Sequence, residues 1–344
     1  MKLFLTLLSG LLLAAITQAE PAKAKTGPEL LPAFSTAPTL KSNFTCYGGA
    51  FASYDSWLAM LSKKPKFNAE AFTERFPKAD IERRQQQIDC RIFVYESDGV
   101  MVEGVMLQPR ATGPGKLPVV IYNRGGNAKG GLLNYGAIQA YLMPLAEQNY
   151  IVIASQYRGA AGFPSGVKPR PLADQFGGVD VNDVKNLLPI IDGMANADSQ
   201  RLAMKGASRG GMMSYLAARD MPQLKALIVE AGVADLEKQL VQRPEMENIY
   251  SKAMPNYATE KSAQLAARSV LHWLDKLPAR LPILLVHGDK DVRVDIEQSQ
   301  WLAKALAEKG HPHKLVIYPG ADHGLYPNRA EADAETVAWL KKYL

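Results

Sequence analysis

Cysteine appears only twice in these 344 residues, and histidine only five times. Among the histidines, His311 and His313 are close enough in sequence to suggest a metal pair. No cysteine or carboxylate cluster accompanies them, so neither a metal nor another cofactor is expected. Beyond the start of the chain, no apolar run approaches the length needed to cross a bilayer. Blocks of like charge are absent too. Lys and Arg number 40 against 34 Asp and Glu, a formal charge of +6, but the basic residues are scattered. That pattern serves solubility rather than nucleic-acid binding. There is no internal repeat and no low-complexity block. What remains is an ordinary globular composition, 47% hydrophobic and 22% charged, with ample material for a core.

The one early apolar run, 3–16, follows Met1-Lys2 and precedes Thr17-Gln18-Ala19. Small residues at both recognition positions before Glu20 predict a cleaved secretory signal over 1–19, with an uncleaved anchor as the alternative. Removing it leaves a charge of +5 and an exported chain, periplasmic or secreted, with no membrane attachment. In that setting Cys46 and Cys90 suggest a disulfide, the alternative being two buried thiols. The closed loop of roughly 45 residues corresponds to about 4 kcal/mol in the chain-entropy model.

Residues 20–43, rich in Pro, Ala, Ser, Thr and Lys, read as a linker. Residues 44–89 read as a helical extension. Apolar positions fall at helical spacing over 49–61, Asn68 caps a second helix that Pro77 ends, and a third covers 80–87. Two strand-like runs, 91–95 and 100–108, meet at Ser97-Asp98-Gly99, a hairpin signal. From the apolar run 119–122 onward, strands and helices alternate. Helices are expected at 132–148, 179–194, 211–219, 295–309 and 330–344, and strands at 150–155, 201–205, 225–229, 281–287 and 314–318. Residues 235–278 are helical without strand signals and read as an insertion. Such alternation predicts an α/β fold with a mostly parallel sheet flanked by helices, over 90–344.

The chemistry gathers around Gly206-Ala207-Ser208-Arg209-Gly210. A Gly-x-Ser-x-Gly turn between a strand and a helix is the context of a nucleophile elbow. The turn strains the serine backbone, and its neighbours two positions away must lack bulk where strand and helix crowd together. Two later strand ends supply an acid and a base, in chain order Ser, Asp, His. His323, between Gly320 and Gly324, is the best base of the five histidines, while His272 and His287 read as structural. For the acid, Asp289, Asp291, Asp295 and Asp322 all lie near the right loops. Asp291 is favoured, with Asp289 second, to fix the tautomer of His323. The oxyanion donors are expected to be the backbone N–H of Arg209 and the 123–127 loop, Asn-Arg-Gly-Gly-Asn.

At these residues the sequence resembles the catalytic domain of prolyl oligopeptidase-type serine hydrolases. The elbow GASRGG, the segment LLVHGDKDVRV with the following QSQWLAKAL, and YPGADHGL carry the likeness, over roughly 90–344. The resemblance implies an α/β-hydrolase fold with Ser208, Asp291 and His323 as its triad. Many relatives carry a β-propeller ahead of this domain. The roughly 70 residues between signal and first strand are too few for even two blades of about 40–45 residues. Where such peptidases commonly place a tyrosine or histidine in the oxyanion loop, this chain has Arg124. Three roles are open to it: donating to the oxyanion, binding a substrate carboxylate, or bracing the loop. The expected activity is cleavage of short peptides through an acyl-enzyme. A carboxylesterase acting on small acyl esters is the alternative, and a non-catalytic binding protein that kept the fold is the remaining one.

Overall fold

The computed structural model describes residues 28–111, 113–127, 130–170 and 173–344. The expected signal, 1–19, lies outside them, as does the first part of the expected linker.

Nine strands form a single sheet among the described residues, in the order β1-β2-β3-β5-β4-β6-β7-β8-β9. They are β1 (Leu40–Thr45), β2 (Ile88–Ser97), β3 (Val100–Pro109), β4 (Leu117–Asn123), β5 (Ile151–Ser155), β6 (Ala197–Ala207), β7 (Ala226–Glu230), β8 (Ile283–Gly288) and β9 (His313–Tyr318). The first three pair antiparallel, and β3 joins β5 antiparallel. From β5 to β9 all pairings are parallel. The hairpin forms where expected, with Ser97 opposite Val100. Both turn residues, Asp98 (φ 49°) and Gly99 (φ 76°), are left-handed, as the tightest hairpin turn requires.

The central strands are continuous apolar runs because both faces are covered. Their side chains alternate between two cores. Val119 and Ile121, Ile151 and Ile153, Leu227 and Val229, and Ile283 and Leu285 enter one. Val120 and Tyr122, Val152 and Ala154, Ala226 and Ile228, and Leu284 and Val286 enter the other. Truncating any of the large aliphatic ones to alanine costs roughly 2–5 kcal/mol.

The second core also receives the helical extension. Its helices are Tyr54–Leu61, Ala69–Arg75 and Lys78–Gln87. Ser53 and Ser56 form a reciprocal cap on the first, and Asn68 Oδ1 accepts from Ala71 N at 3.0 Å on the second. Trp57, Phe72 and Phe76 pack together, and Trp57 stands edge-on to Tyr135 at 4.8 Å. Cys46 and Cys90 are joined as a disulfide, with Cα atoms 5.5 Å apart.

Three expectations need correcting. The end of the stretch read as linker, 20–43, enters strand β1. Lys41, Ser42 and Asn43 hide that strand from an apolar-pattern reading. Asn43 is buried through hydrogen bonds with Arg91 and the carbonyls of Leu31 and Pro32 instead. The helix expected over 179–194 is two short helices, Val181–Lys185 and Leu188–Asp192, with Pro189 in the first turn of the second, where its missing N–H costs nothing. The helix expected over 132–148 runs from Tyr135 to Ala146 and winds wider at Ile138–Leu142. Pro144, just beyond, has no N–H to return to the preceding turn. The segment between β7 and β8 is helical as expected, with helices Leu236–Gln242, Glu247–Ala253 and Tyr257–Arg268.

Candidate active site

Ser208 stands between β6 and the helix Arg209–Ala218 with φ 56° and ψ −125°, a conformation that L residues adopt only under constraint. The constraint is visible on both sides. Ser208 N donates to Glu230 O at 2.8 Å, and Gly211 N donates to Ser208 O at 2.9 Å. The flanking glycines are required by space. A Cβ on Gly206 would fall 2.2 Å from Gly210 O, and one on Gly210 would fall 2.0 Å from Asn123 O. Strand, helix and the loop after β4 therefore meet with no room between them, which leaves the serine at the carboxyl edge of the sheet.

The acid and base loops follow β8 and β9, adjacent parallel strands. They close on each other at Gly288, where a Cβ would meet Ala321 O at 2.2 Å. Lys290 N donates to Ala321 O at 2.9 Å. The four candidate carboxylates separate cleanly. Asp291 Oδ2 accepts from His323 Nδ1 at 2.7 Å. Asp289 Oδ1 accepts from Gly320 N, joining the loops. Asp295 Oδ1 accepts from Glu297 N at a helix start. Asp322 Oδ1 shapes the base loop by accepting from Gly324 N and Tyr326 N. The favoured Asp291, not Asp289, is the carboxylate that reaches the imidazole.

The Asp291 side chain is fully buried and that of His323 is partly exposed. Burial alone would raise the Asp291 pKa. Hydrogen bonds from His287 and His323, the charge of His323, and the Val294 N–H overcome it and hold the carboxyl well below its usual range. The backbone N–H groups of Arg293 (2.8 Å) and Val294 (3.0 Å) bind its other oxygen.

On the opposite flank, the 123–127 loop runs against the elbow. A Cβ on Gly125 would lie 3.2 Å from the Ser208 Cβ. Arg209 opens the helix, so its N–H is one of the donors a helix start leaves free. Of the three roles open to the Arg124 side chain, the geometry matches bracing. It is 1% exposed. Its Nε and Nη2 donate to Gln156 O at 2.9 and 2.6 Å, and its Nη1 to the carbonyls of Gly125 and Gly130. Burial, and then the neighbouring Arg209, lower its pKa to about 10.

The remaining histidines are occupied elsewhere. His311 Nε2 donates to Leu281 O, and His313 Nδ1 to His311 O. His272 lies 3.6 Å from Asp235, a helix cap. Among the described residues no group of three or more His, Cys, Asp or Glu is placed to hold a metal ion, and no helix is long and apolar enough to cross a membrane.

Two buried ionic networks went unread in the sequence. The Arg209 guanidinium pairs with Asp174 through two bonds, 2.8 and 2.6 Å, and with Asp180 at 2.7 Å. It also donates to Gly126 O, so it ties the 174–180 loop to the 123–127 loop. Tyr157 (φ 60°) meets the guanidinia of both Arg124 and Arg209, 4.8 and 5.2 Å from its ring. Behind the elbow, Glu230 pairs with Lys205 at 2.8 Å and Arg329 at 2.7 Å. Lys205, the one charge in the buried run from Leu202 to Gly206, was the available signal.

Comparison with known proteins identifies the family and the fold. The family model of the prolyl oligopeptidase family matches residues 137–344. The chain is 26% identical over 269 residues to the uncharacterized peptidase YtmA of Bacillus subtilis, covering 78% of this chain and 97% of that one. It is 28% identical over 261 residues to dipeptidyl-peptidase 5 of Porphyromonas gingivalis, covering 72% of this chain but only 36% of the relative. The solved acylaminoacyl peptidase of Pyrococcus horikoshii superposes with a TM-score of 0.64 at 20% identity, over 77% of this chain and 43% of that one. The fold is thus that of the α/β-hydrolases, and the chain belongs to the prolyl oligopeptidase family of serine peptidases.

Proposed function

We propose that this chain hydrolyses short peptides through Ser208, His323 and Asp291. The observations that support the reading are the 2.7 Å Asp291–His323 hydrogen bond and, at the carboxyl edge of the same sheet, a serine held at φ 56° on an elbow. With Nδ1–H engaged by the carboxylate, the neutral His323 presents Nε2 as the base. Nε2 takes the Ser208 proton as Oγ attacks the scissile carbonyl. The oxyanion that forms is met by the N–H of Arg209 and by the 123–127 loop. Nε2–H then protonates the departing amine, leaving an acyl-serine. Water gives its proton to Nε2, attacks the ester carbonyl, and the acid leaves as Ser208 recovers its proton. No cofactor enters the sequence. Peptides rather than simple esters are favoured because the relatives are named peptidases.

A fluorophosphonate probe should label the protein, and Ser208→Ala should abolish both labelling and hydrolysis. An Ala-Pro anilide should be cleaved with a higher kcat/KM than p-nitrophenyl acetate. The reverse preference would make the chain an esterase, and absence of labelling would remove the serine-hydrolase reading.

We also propose that the chain is exported, with 1–19 as its signal. The Cys46–Cys90 bond supports this, since such bonds persist in oxidising compartments. A mature N-terminus at Glu20, found by sequencing protein from the exported fraction, is the expected result.

A further inference from the structure

His287 is the penultimate residue of β8, fully buried after four apolar residues, Ile283 to Val286, that are equally buried. Nothing in the core asks for an imidazole there, and a polar ring in such a place is costly unless it is bonded. Its bonds lead to the acid. Nε2 lies 2.9 Å from Val294 O and 3.2 Å from Asp291 Oδ2. A carbonyl only accepts, so Nε2 carries the proton. Nδ1 is then the acceptor, and it lies 2.7 Å from the hydroxyl of Ser299, buried in the helix Glu297–Glu308.

We propose that His287 is a positioning residue for the catalytic acid, with Ser299 fixing its tautomer much as Asp291 fixes that of His323. The inference rests on the reading of Asp291 and His323 as the acid and base. Asp291 Oδ2 is shared by two imidazoles, and Oδ1 by two backbone N–H groups. Four donors therefore set the plane of one carboxylate. Val294 closes the circuit: its N–H binds Asp291, and its carbonyl is bound by His287. The second histidine thus fixes both the carboxylate and the loop that carries it.

The sharing also has a sign. Each N–H on Oδ2 draws on the same negative charge. With His287 removed, Oδ2 is left to His323, with Oδ1 still held by Arg293 and Val294, and stabilises its protonated form more strongly, while the loop loses a tie. A group that merely fills the core would not move that balance.

The test uses the full chain with a chromogenic peptide and a pH series. His287→Leu should lower kcat roughly tenfold with KM little changed, a loss of orientation rather than of binding. It should also move the acid limb of the kcat profile to higher pH. His287→Gln, whose amide N–H can occupy the Nε2 position, should restore most of kcat and return the limb. If the leucine variant does not fold, Ser299→Ala answers in its place, with a fall of roughly threefold and the same direction of shift. Wild-type kcat and an unmoved limb in the leucine variant, or in Ser299→Ala where that stands in, would overturn the proposal. So would a loss of kcat that glutamine does not rescue. Failure of the reading beneath it looks different: the wild type itself would then neither hydrolyse peptide nor react with a fluorophosphonate.

Discussion

The two flanks of Ser208 are built by opposite means. On the acid–base flank, carboxylates bind backbone N–H groups within a few residues of themselves, as Asp291 does with Arg293 and Val294, and Asp322 with Gly324 and Tyr326, and among the described residues only Asp291–His323 and Asp289–Gly320 carry carboxylate bonds from one loop to the other. On the oxyanion flank, buried guanidinia reach across 29 to 35 positions of sequence to carboxylates or carbonyls. Short loops at strand ends hold themselves. A long excursion such as 156–180 needs charge to hold it, and buried charge is costly when left unpaired. The difference predicts that damage to the first flank appears mainly in the rate of reaction, and damage to the second mainly in stability.

The largest effect should come from the acid. Asp291→Asn is expected to lower kcat about 10⁴-fold, because the amide no longer holds the needed tautomer of His323. Asp289→Asn only weakens the bond from Gly320 N, since its amide oxygen still accepts, and should stay within roughly tenfold of wild type. Steady-state kinetics on both variants compares them, and the opposite ranking would move the acid to Asp289. Next, Arg209→Met leaves Asp174 and Asp180 buried without their cation. A loss of about 3–5 kcal/mol is expected from urea unfolding. A variant that unfolds like wild type would break the contrast between the flanks.

The smallest effect concerns Glu230. Burial opposes its charge, but Arg329 and Lys205 lower its pKa to about 2. A carboxyl whose folded pKa is depressed adds stability above its unfolded value, and loses it as pH falls through the folded one. Roughly 3 kcal/mol should disappear between about pH 4.5 and 2. Glu230→Gln should flatten that part of a stability-against-pH curve, and an unchanged slope would deny the pairing its role.

The same contrast explains what the sequence made legible. Ser208, Asp291 and His323 each sit where a strand ends, and strand ends are marked by apolar runs that stop at Gly, Asp or His. The elbow glycines could be read for the same reason, since their task is local crowding. Arg209, Asp174 and Asp180 share no period and no neighbourhood in the chain, so nothing before folding joins them. The role of the Arg124 side chain stayed open because a guanidinium in a glycine-rich loop fits a binding role and a structural one equally well. Only its bonds to the Gln156 carbonyl distinguish them. His287 looked structural because it lies inside a strand. Its proximity to Asp291 depends on how the 291–294 turn folds back. Strand β1 escaped because one of its two buried members, Asn43, is polar and the other, Phe44, stands alone among polar neighbours.

Gly288 has one further consequence. With the carbonyl of Ala321 resting where a side chain would be, and Asp289 bridging to Gly320, the turns after β8 and β9 are welded into a single block. Acid and base then travel together or not at all, and their mutual distance survives whatever motion admits a peptide.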